Sequence, residues 1–193
     1  MKKIACLFPG IGYTCDKPLL YYSWKLLKGL GWEVFPVPYS GFPSDVKGNA
    51  EKMHQAAQMA LEQAEEILRD IEWSSYSDIL LIGKSVGTVV CAAYAQRHRL
   101  QCRQILFTPV EETFRFAGKH AIVFHGTADP WAKTSVIEDC CHQLGLPLYE
   151  TKNANHSLET GDVDFDIKNM RKTMKMVKAY AESDGQESIS ESI

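Results

Sequence analysis

Ile79-Leu80-Leu81-Ile82-Gly83-Lys84-Ser85-Val86-Gly87 is the stretch from which the architecture can be read. An unbroken apolar run ends at a serine flanked two residues away on each side by glycine. The residues that follow, Thr88 to Arg97, carry a helical pattern. A buried strand, a sharp turn and a helix are therefore expected, with Ser85 at the apex. Such a turn lifts a hydroxyl above the sheet edge and sets it near a helix N-terminus. Glycine is needed at both flanks because a side chain there would collide with the neighbouring strand or helix. The G-x-S-x-G spacing alone recurs by chance; its place between a strand and a helix is what makes it informative.

Working outward, short apolar runs alternate with amphipathic stretches. Strands are predicted at Lys3–Phe8, Glu33–Pro38, Asp78–Ile82, Gln104–Thr108, Ala121–His125 and Leu148–Lys152. Helices are predicted at Lys17–Leu30, Asn49–Glu72, Val86–Arg97, Lys133–Leu144 and Asp164–Ala181. This rhythm implies an α/β fold, a doubly wound and mostly parallel sheet of about six strands with helices on both faces. Parallel strands covered on both faces read as continuous apolar runs, as Ile79–Ile82 and Ile122–Phe124 do. Tyr39–Gly48, rich in Gly, Pro and Ser, reads as a loop. Residues 1–181 are expected to form one domain, with 182–193 a disordered tail that has little to bury.

The chain has 193 residues and a formal net charge of −3, with no basic block, which argues against a nucleic-acid surface. The apolar run after Met1-Lys2-Lys3 is too short for a signal-peptide core or a membrane span, so it reads as the first strand. Of six cysteines, Cys6 and Cys91 sit in apolar runs and Cys140-Cys141 are adjacent within a helical pattern. No pair has metal-ligand or redox spacing. Free thiols in a reducing cytoplasm are the reading that follows. No cofactor or metal is called for, the expected partner is a small-molecule substrate, and oligomeric state is not readable.

In a doubly wound sheet, the loops at the strand C-termini converge on one rim. Three of them carry complementary chemistry: Ser85 after the third strand, Asp129 in His125-Gly126-Thr127-Ala128-Asp129-Pro130 after the fifth, and His156 in Asn153-Ala154-Asn155-His156-Ser157 after the sixth. A serine hydroxyl is a weak nucleophile until an imidazole takes its proton. A carboxylate fixes the imidazole tautomer and stabilises the cation that forms. Two main-chain donors are expected to face the developing oxyanion: the N–H of Val86, just after the nucleophile, and that of Ile11 in Pro9-Gly10-Ile11-Gly12-Tyr13. Glu111 and Glu112 are competing acids, and His125 reads as structural. Tyr13, Phe42, Phe114, Phe116 and Trp131 fall on rim loops and are candidates for a substrate pocket or for packing beneath it. Lys84 reads as a turn residue with its ammonium in solvent. A phosphate-binding loop around Gly83-Lys84-Ser85 is disfavoured, since the required glycine five residues earlier is Asp78.

Pro9-Gly10-Ile11-Gly12, Gly83-Lys84-Ser85-Val86-Gly87, His125-Gly126-Thr127-Ala128-Asp129 and Asn155-His156-Ser157 together resemble the motifs of the α/β-hydrolase superfamily. The chain is similar in outline to its small, lidless, dienelactone-hydrolase-like and carboxylesterase-like members over roughly residues 3–181. The chain order Ser, Asp, His agrees with that resemblance. Two departures stand out: the first two strands of the full eight-stranded fold are missing, and Pro9-Gly10 stands where many members have His-Gly. The resemblance implies a nucleophile elbow at Ser85 and a serine hydrolase acting on a small ester or thioester through an acyl-enzyme. With Ser85 where a dienelactone hydrolase has cysteine, that particular activity is not implied. The short Pro109–Lys119 link leaves little room for a lid, so an open, shallow site is expected. The rival readings are a non-enzymatic binding module on the same fold and, among enzymes, an amidase or peptidase.

Overall fold

The computed structural model describes residues 2–43, 45–46 and 49–183. Of the tail expected over 182–193, Glu182 is helical, continuing the preceding helix by one residue, and the residues from Asp184 onward lie outside the described ones. Six strands form one sheet: β1 (Lys3–Phe8), β2 (Glu33–Pro36), β3 (Asp78–Lys84), β4 (Arg103–Phe107), β5 (Ala121–Gly126) and β6 (Leu148–Thr151). Their order is β2-β1-β3-β4-β5-β6, and every neighbouring pair is parallel. The chain moves outward from β1 to β2 and then crosses back to place β3 on the other side of β1. The loops after β1 and β3 therefore diverge at a switch point, where such sheets open a crevice.

Five α-helices cover the sheet: α1 (Pro18–Gly29), α2 (Ala50–Leu68), α3 (Val86–Arg97), α4 (Thr134–Leu144) and α5 (Val163–Glu182). The two-residue alternation of the strands divides the core in two. Ile4, Cys6, Phe8, Ile79 and Leu81 face a layer built from Ala57, Ala60 and Ala64 of α2, Val89, Val90 and Tyr94 of α3 and Ile137 of α4. Ala5, Leu7, Leu80 and Ile82 face Leu19, Leu20 and Leu27 of α1 and Met176, Val177 and Tyr180 of α5. The small alanines let α2 lie close against α3. At the far end of the sheet, the buried Arg103 holds Asp78 through two hydrogen bonds of 3.0 and 2.8 Å, and it also donates to main-chain oxygens at the end of α5.

The predicted elements are all present, with ends displaced by a few residues. One displacement matters. β3 continues two residues past Ile82, because Gly83 and Lys84 pair with Leu106 and Phe107 of β4. Lys84 is consequently the last strand residue rather than part of a solvated turn.

Candidate active site

Ser85 follows β3 with φ 55° and ψ −124°, a left-handed conformation that a serine adopts only under constraint. Such a residue costs about 1–3 kcal/mol, which the surrounding structure must supply. Two glycines show how it is supplied. A Cβ on Gly83 would sit 2.6 Å from the Gly87 carbonyl oxygen, and one on Gly87 would sit 2.0 Å from that of Phe8. The start of α3 thus lies against the β1 and β3 backbones more closely than any side chain permits. The Ser85 N–H donates to the Phe107 oxygen at 3.0 Å. On the helix side, the Thr88 hydroxyl donates to the Ser85 carbonyl at 2.6 Å.

Asp129 and His156 come from neighbouring loops that are stitched together. Thr127 and Ala128 donate their N–H groups to the oxygens of Thr151 and Ala154, at 3.0 and 2.9 Å. Asn153 N–H donates to the Thr127 hydroxyl at 2.8 Å. Gly126 is enclosed here, since a Cβ would fall 2.4 Å from the Ala154 oxygen. Beyond His156 the chain is folded back by Asn155, whose side-chain oxygen accepts from Ser157 and Glu159 N–H.

These loops bring three side chains into one hydrogen-bonded chain. His156 Nε2 lies 2.7 Å from Ser85 Oγ, and His156 Nδ1 lies 2.6 Å from Asp129 Oδ2. The second carboxylate oxygen accepts from Trp131 N–H at 2.9 Å. The Asp129 carboxylate is sealed from solvent. Burial acts to raise its pKa, but the His156 hydrogen bond and charge, the Trp131 N–H and the His125 charge outweigh burial and hold it below the usual carboxylate value. For His156, burial is the largest influence and disfavours the imidazolium. Asp129 opposes that and Lys84 reinforces it, leaving the ring's pKa below its ordinary value. A neutral imidazole with Nδ1–H directed at the carboxylate has its Nε2 lone pair free for the serine proton. Geometrically the cluster can deprotonate a hydroxyl and reprotonate a leaving group.

Val86 is the first residue of α3, where helical N–H groups have no intrahelical acceptor. Ile11 occupies a tight turn closed by reciprocal Gly10–Tyr13 hydrogen bonds of 3.0 and 3.2 Å, with Gly12 at φ 74°. Gly10 lies against the elbow: a Cβ there would be 3.1 Å from that of Ser85.

The aromatic candidates separate. Trp131 is 45% exposed, and its ring lies 4.3 Å from that of His156. Tyr13 is buried beneath the rim, its hydroxyl accepting from Leu19 N–H at 3.1 Å, so packing is its role rather than lining an open pocket. Phe42 packs edge-on to Tyr39. Phe114 and Phe116 pack against the α3-side core; Phe114 also borders a small cleft with Cys140 and Leu144. The competing acids point elsewhere, Glu112 toward His54 at 3.0 Å and Glu111 toward the Phe114 cleft. His125 is buried, with Nε2 3.0 Å from the Thr134 hydroxyl. Among the described residues no group of three His, Cys, Asp or Glu side chains is arranged to hold a metal ion, and no helix is long and apolar enough to cross a membrane.

Lys84 departs from expectation. It is 1% exposed, with Nζ 4.8 Å from the centre of the Tyr13 ring. The cause is the longer β3: alternation puts Lys84 on the same face as Leu80 and Ile82, toward α1 and α5. Hydropathy alone gives no sign that a lysine would complete this strand.

A six-stranded parallel sheet with a serine elbow at its switch point is the α/β-hydrolase fold. Solved structures show the same. An α/β serine hydrolase homologue from Coxiella burnetii superposes with a TM-score of 0.66 at 18% identity, over 92% of this chain and 84% of that one. A Xanthomonas campestris α/β serine hydrolase described as having no lid gives 0.61 at 14% identity, over 93% and 83%. Est1E from Butyrivibrio proteoclasticus, in a structure with ferulic acid bound, gives 0.67 at 11% identity, over 92% and 87%. No protein-family model matches the chain, and no curated protein matches it.

Proposed function

We propose that the protein is a serine hydrolase that cleaves a small carboxylic ester or thioester. The observation that carries this reading is the unbroken hydrogen-bonded path from Ser85 Oγ through His156 to Asp129 Oδ2. Ser85 Oγ attacks the carbonyl carbon while its proton passes to His156 Nε2. The carbonyl π electrons move onto oxygen, which the N–H groups of Ile11 and Val86 receive. Collapse of the adduct expels the alcohol or thiol, which takes the proton from His156 and leaves an acyl-Ser85. Water, deprotonated by the same imidazole, then releases the acid. Each main-chain donor to such an oxyanion is worth about 3–4 kcal/mol in the transition state.

The carboxylesterase character is supported by the shortness of the link after β4, which leaves little chain for a lid. The β4–β5 link holds only a five-residue 3-10 turn, Glu111–Arg115. Trp131 offers an exposed ring beside His156, so esters of aromatic acids belong in a substrate panel with short p-nitrophenyl esters; the ferulic acid in the Butyrivibrio structure points the same way.

A fluorophosphonate probe tests the proposal directly. The wild-type protein is expected to be labelled at Ser85 and to turn over p-nitrophenyl acetate, and Ser85→Ala to do neither. A folded wild-type protein that resists the probe, or a Ser85→Ala variant labelled equally well, refutes it.

A further inference from the structure

We propose that Tyr39 is a positioning residue of the candidate active site: its hydroxyl clamps the Pro9 carbonyl and so fixes the turn that presents the Ile11 N–H to the substrate oxyanion. The inference rests on the proposed hydrolase reading and assigns Tyr39 no contact with substrate.

β2 lies beside β1, so the segment after β2 runs along the turn after β1. The pairing continues one residue past β2, where Val37 N–H donates to the Leu7 oxygen at 2.9 Å. Two residues later the Tyr39 hydroxyl donates to the Pro9 carbonyl oxygen. Tyr39 is itself held in place. The side-chain amide of Gln63 on α2 binds the main chain of the next residue twice, accepting from Ser40 N–H at 3.0 Å and donating to the Ser40 oxygen at 2.9 Å. The Phe42 ring meets the Tyr39 ring edge-on at 5.8 Å. Burial pushes the Tyr39 pKa well above its ordinary value, so the hydroxyl remains a donor at neutral pH.

The peptide joining Pro9 to Gly10 is thereby occupied at both ends. Its carbonyl accepts from Tyr39, and its N–H donates to the Tyr13 oxygen at 3.0 Å. A peptide is planar, so two such bonds fix its rotation. The next peptide, Gly10–Ile11, has its carbonyl held by Tyr13 N–H at 3.2 Å. The Ile11 N–H of that peptide points the opposite way and meets no acceptor among the described residues. The Pro9 carbonyl has little room to turn, since a Cβ on Gly87 would sit 2.5 Å from its oxygen. Without the Tyr39 hydroxyl that oxygen loses its donor and the peptide is free to rock in search of another. An oxyanion donor is effective only if its direction is fixed before the charge develops. Acylation and deacylation both pass through an oxyanion, so a loosened Ile11 N–H slows both. The loss then falls on kcat and leaves KM nearly unchanged.

The test is Tyr39→Phe, which removes the hydroxyl and keeps the ring. Two measurements are made: kcat and KM for p-nitrophenyl acetate, and amide hydrogen exchange at Gly10 and Tyr13, whose N–H groups close the turn. Complete loss of one oxyanion donor costs about 10²–10³ in kcat, so a misdirected one is expected to cost about tenfold or more. KM should stay within about twofold of wild type. Exchange at Gly10 and Tyr13 is expected to quicken by about tenfold while that of β3 holds, since only the turn is released. A kcat within about twofold of wild type overturns the proposal, and so does a loss carried by KM, which would set Tyr39 against substrate. Exchange at Gly10 and Tyr13 that matches wild type overturns it whatever the rate, and equal acceleration in β3 does the same by marking a general loss of stability. Because exchange needs no turnover, it decides whether Tyr39 clamps the turn even if the wild-type protein fails the fluorophosphonate test and the hydrolase reading falls.

Discussion

Lys84→Met should make the protein more stable, and by an amount that depends on pH. A lysine held at about 7 instead of its ordinary 10.5 penalises the folded state for as long as the group is charged in both states. The penalty approaches about 5 kcal/mol at pH 6, at about 1.4 kcal/mol per pKa unit. The sign follows from proton counting. Between about pH 7 and 10.5 the folded protein has released the Lys84 proton while the unfolded chain still holds it. Unfolding then takes up a proton, so stability rises with pH across that window. By pH 9 about 3 kcal/mol of the penalty has been relieved. Methionine has no proton to exchange and fits an apolar slot formed with Tyr13 and Phe107. The attraction of the Asp129 and Glu159 carboxylates, which partly resists the effect of burial, is already contained in that lowered value, so it is not subtracted again. The expected advantage of Lys84→Met is therefore about 2–5 kcal/mol at pH 6, shrinking markedly by pH 9. Urea unfolding followed by tryptophan fluorescence at pH 6, 7.5 and 9 measures it, with wild type and variant compared at each pH so that other titrating groups cancel. A difference that stays constant from pH 6 to 9, or a variant less stable at pH 6, would refute the reasoning.

Two further substitutions probe the frame and the relay. Gly87→Ala places a Cβ 2.0 Å from the Phe8 carbonyl oxygen, a clash between two backbones that no rotamer can relieve; a loss above about 4 kcal/mol is expected, read as a thermal midpoint lowered by many degrees or as failure to fold. Asp129→Asn keeps the side chain's shape but removes the charge and the preference for Nδ1–H on His156. Its kcat should fall by about 10³–10⁴-fold with unchanged far-UV circular dichroism, the magnitude being that of serine proteases with the same defect; a fall below tenfold would mean that the 2.6 Å contact does not set the tautomer.

How much was legible in the sequence depended on whether a feature is written in local pattern or in pairing. Strand interiors such as Ile79–Ile82 are apolar because both faces are covered, so their existence follows from composition. Ser85, Asp129 and His156 were legible because parallel topology sends every loop after a strand to the same rim, so chain order and loop position suffice to gather them. The end of β3 was not legible. Gly83-Lys84 carries the marks of a turn, and only the register with Leu106 and Phe107 extends the strand through it. Tyr13 was ambiguous for a related reason, because whether a loop aromatic lines a cleft or supports it depends on a main-chain partner, here Leu19, six residues away.

The same contrast explains why the site stands where it does. β1 and β3 are adjacent, yet their following segments leave in different directions, one into the Gly10–Tyr13 turn and the other into α3. A serine placed at that divergence can hold a left-handed backbone only if both sides are pinned. On one side, α3 is drawn down to van der Waals limits onto Phe8 by Gly87. On the other, the carbonyl of Ser85 is held by Thr88, whose hydroxyl also meets that of Thr113 at 2.6 Å, anchoring the elbow to the short link after β4. The strained Ser85, its helix and the short link after β4 are thus one mechanical unit. Lys84 is the side chain by which that unit reaches the opposite layer, under Tyr13.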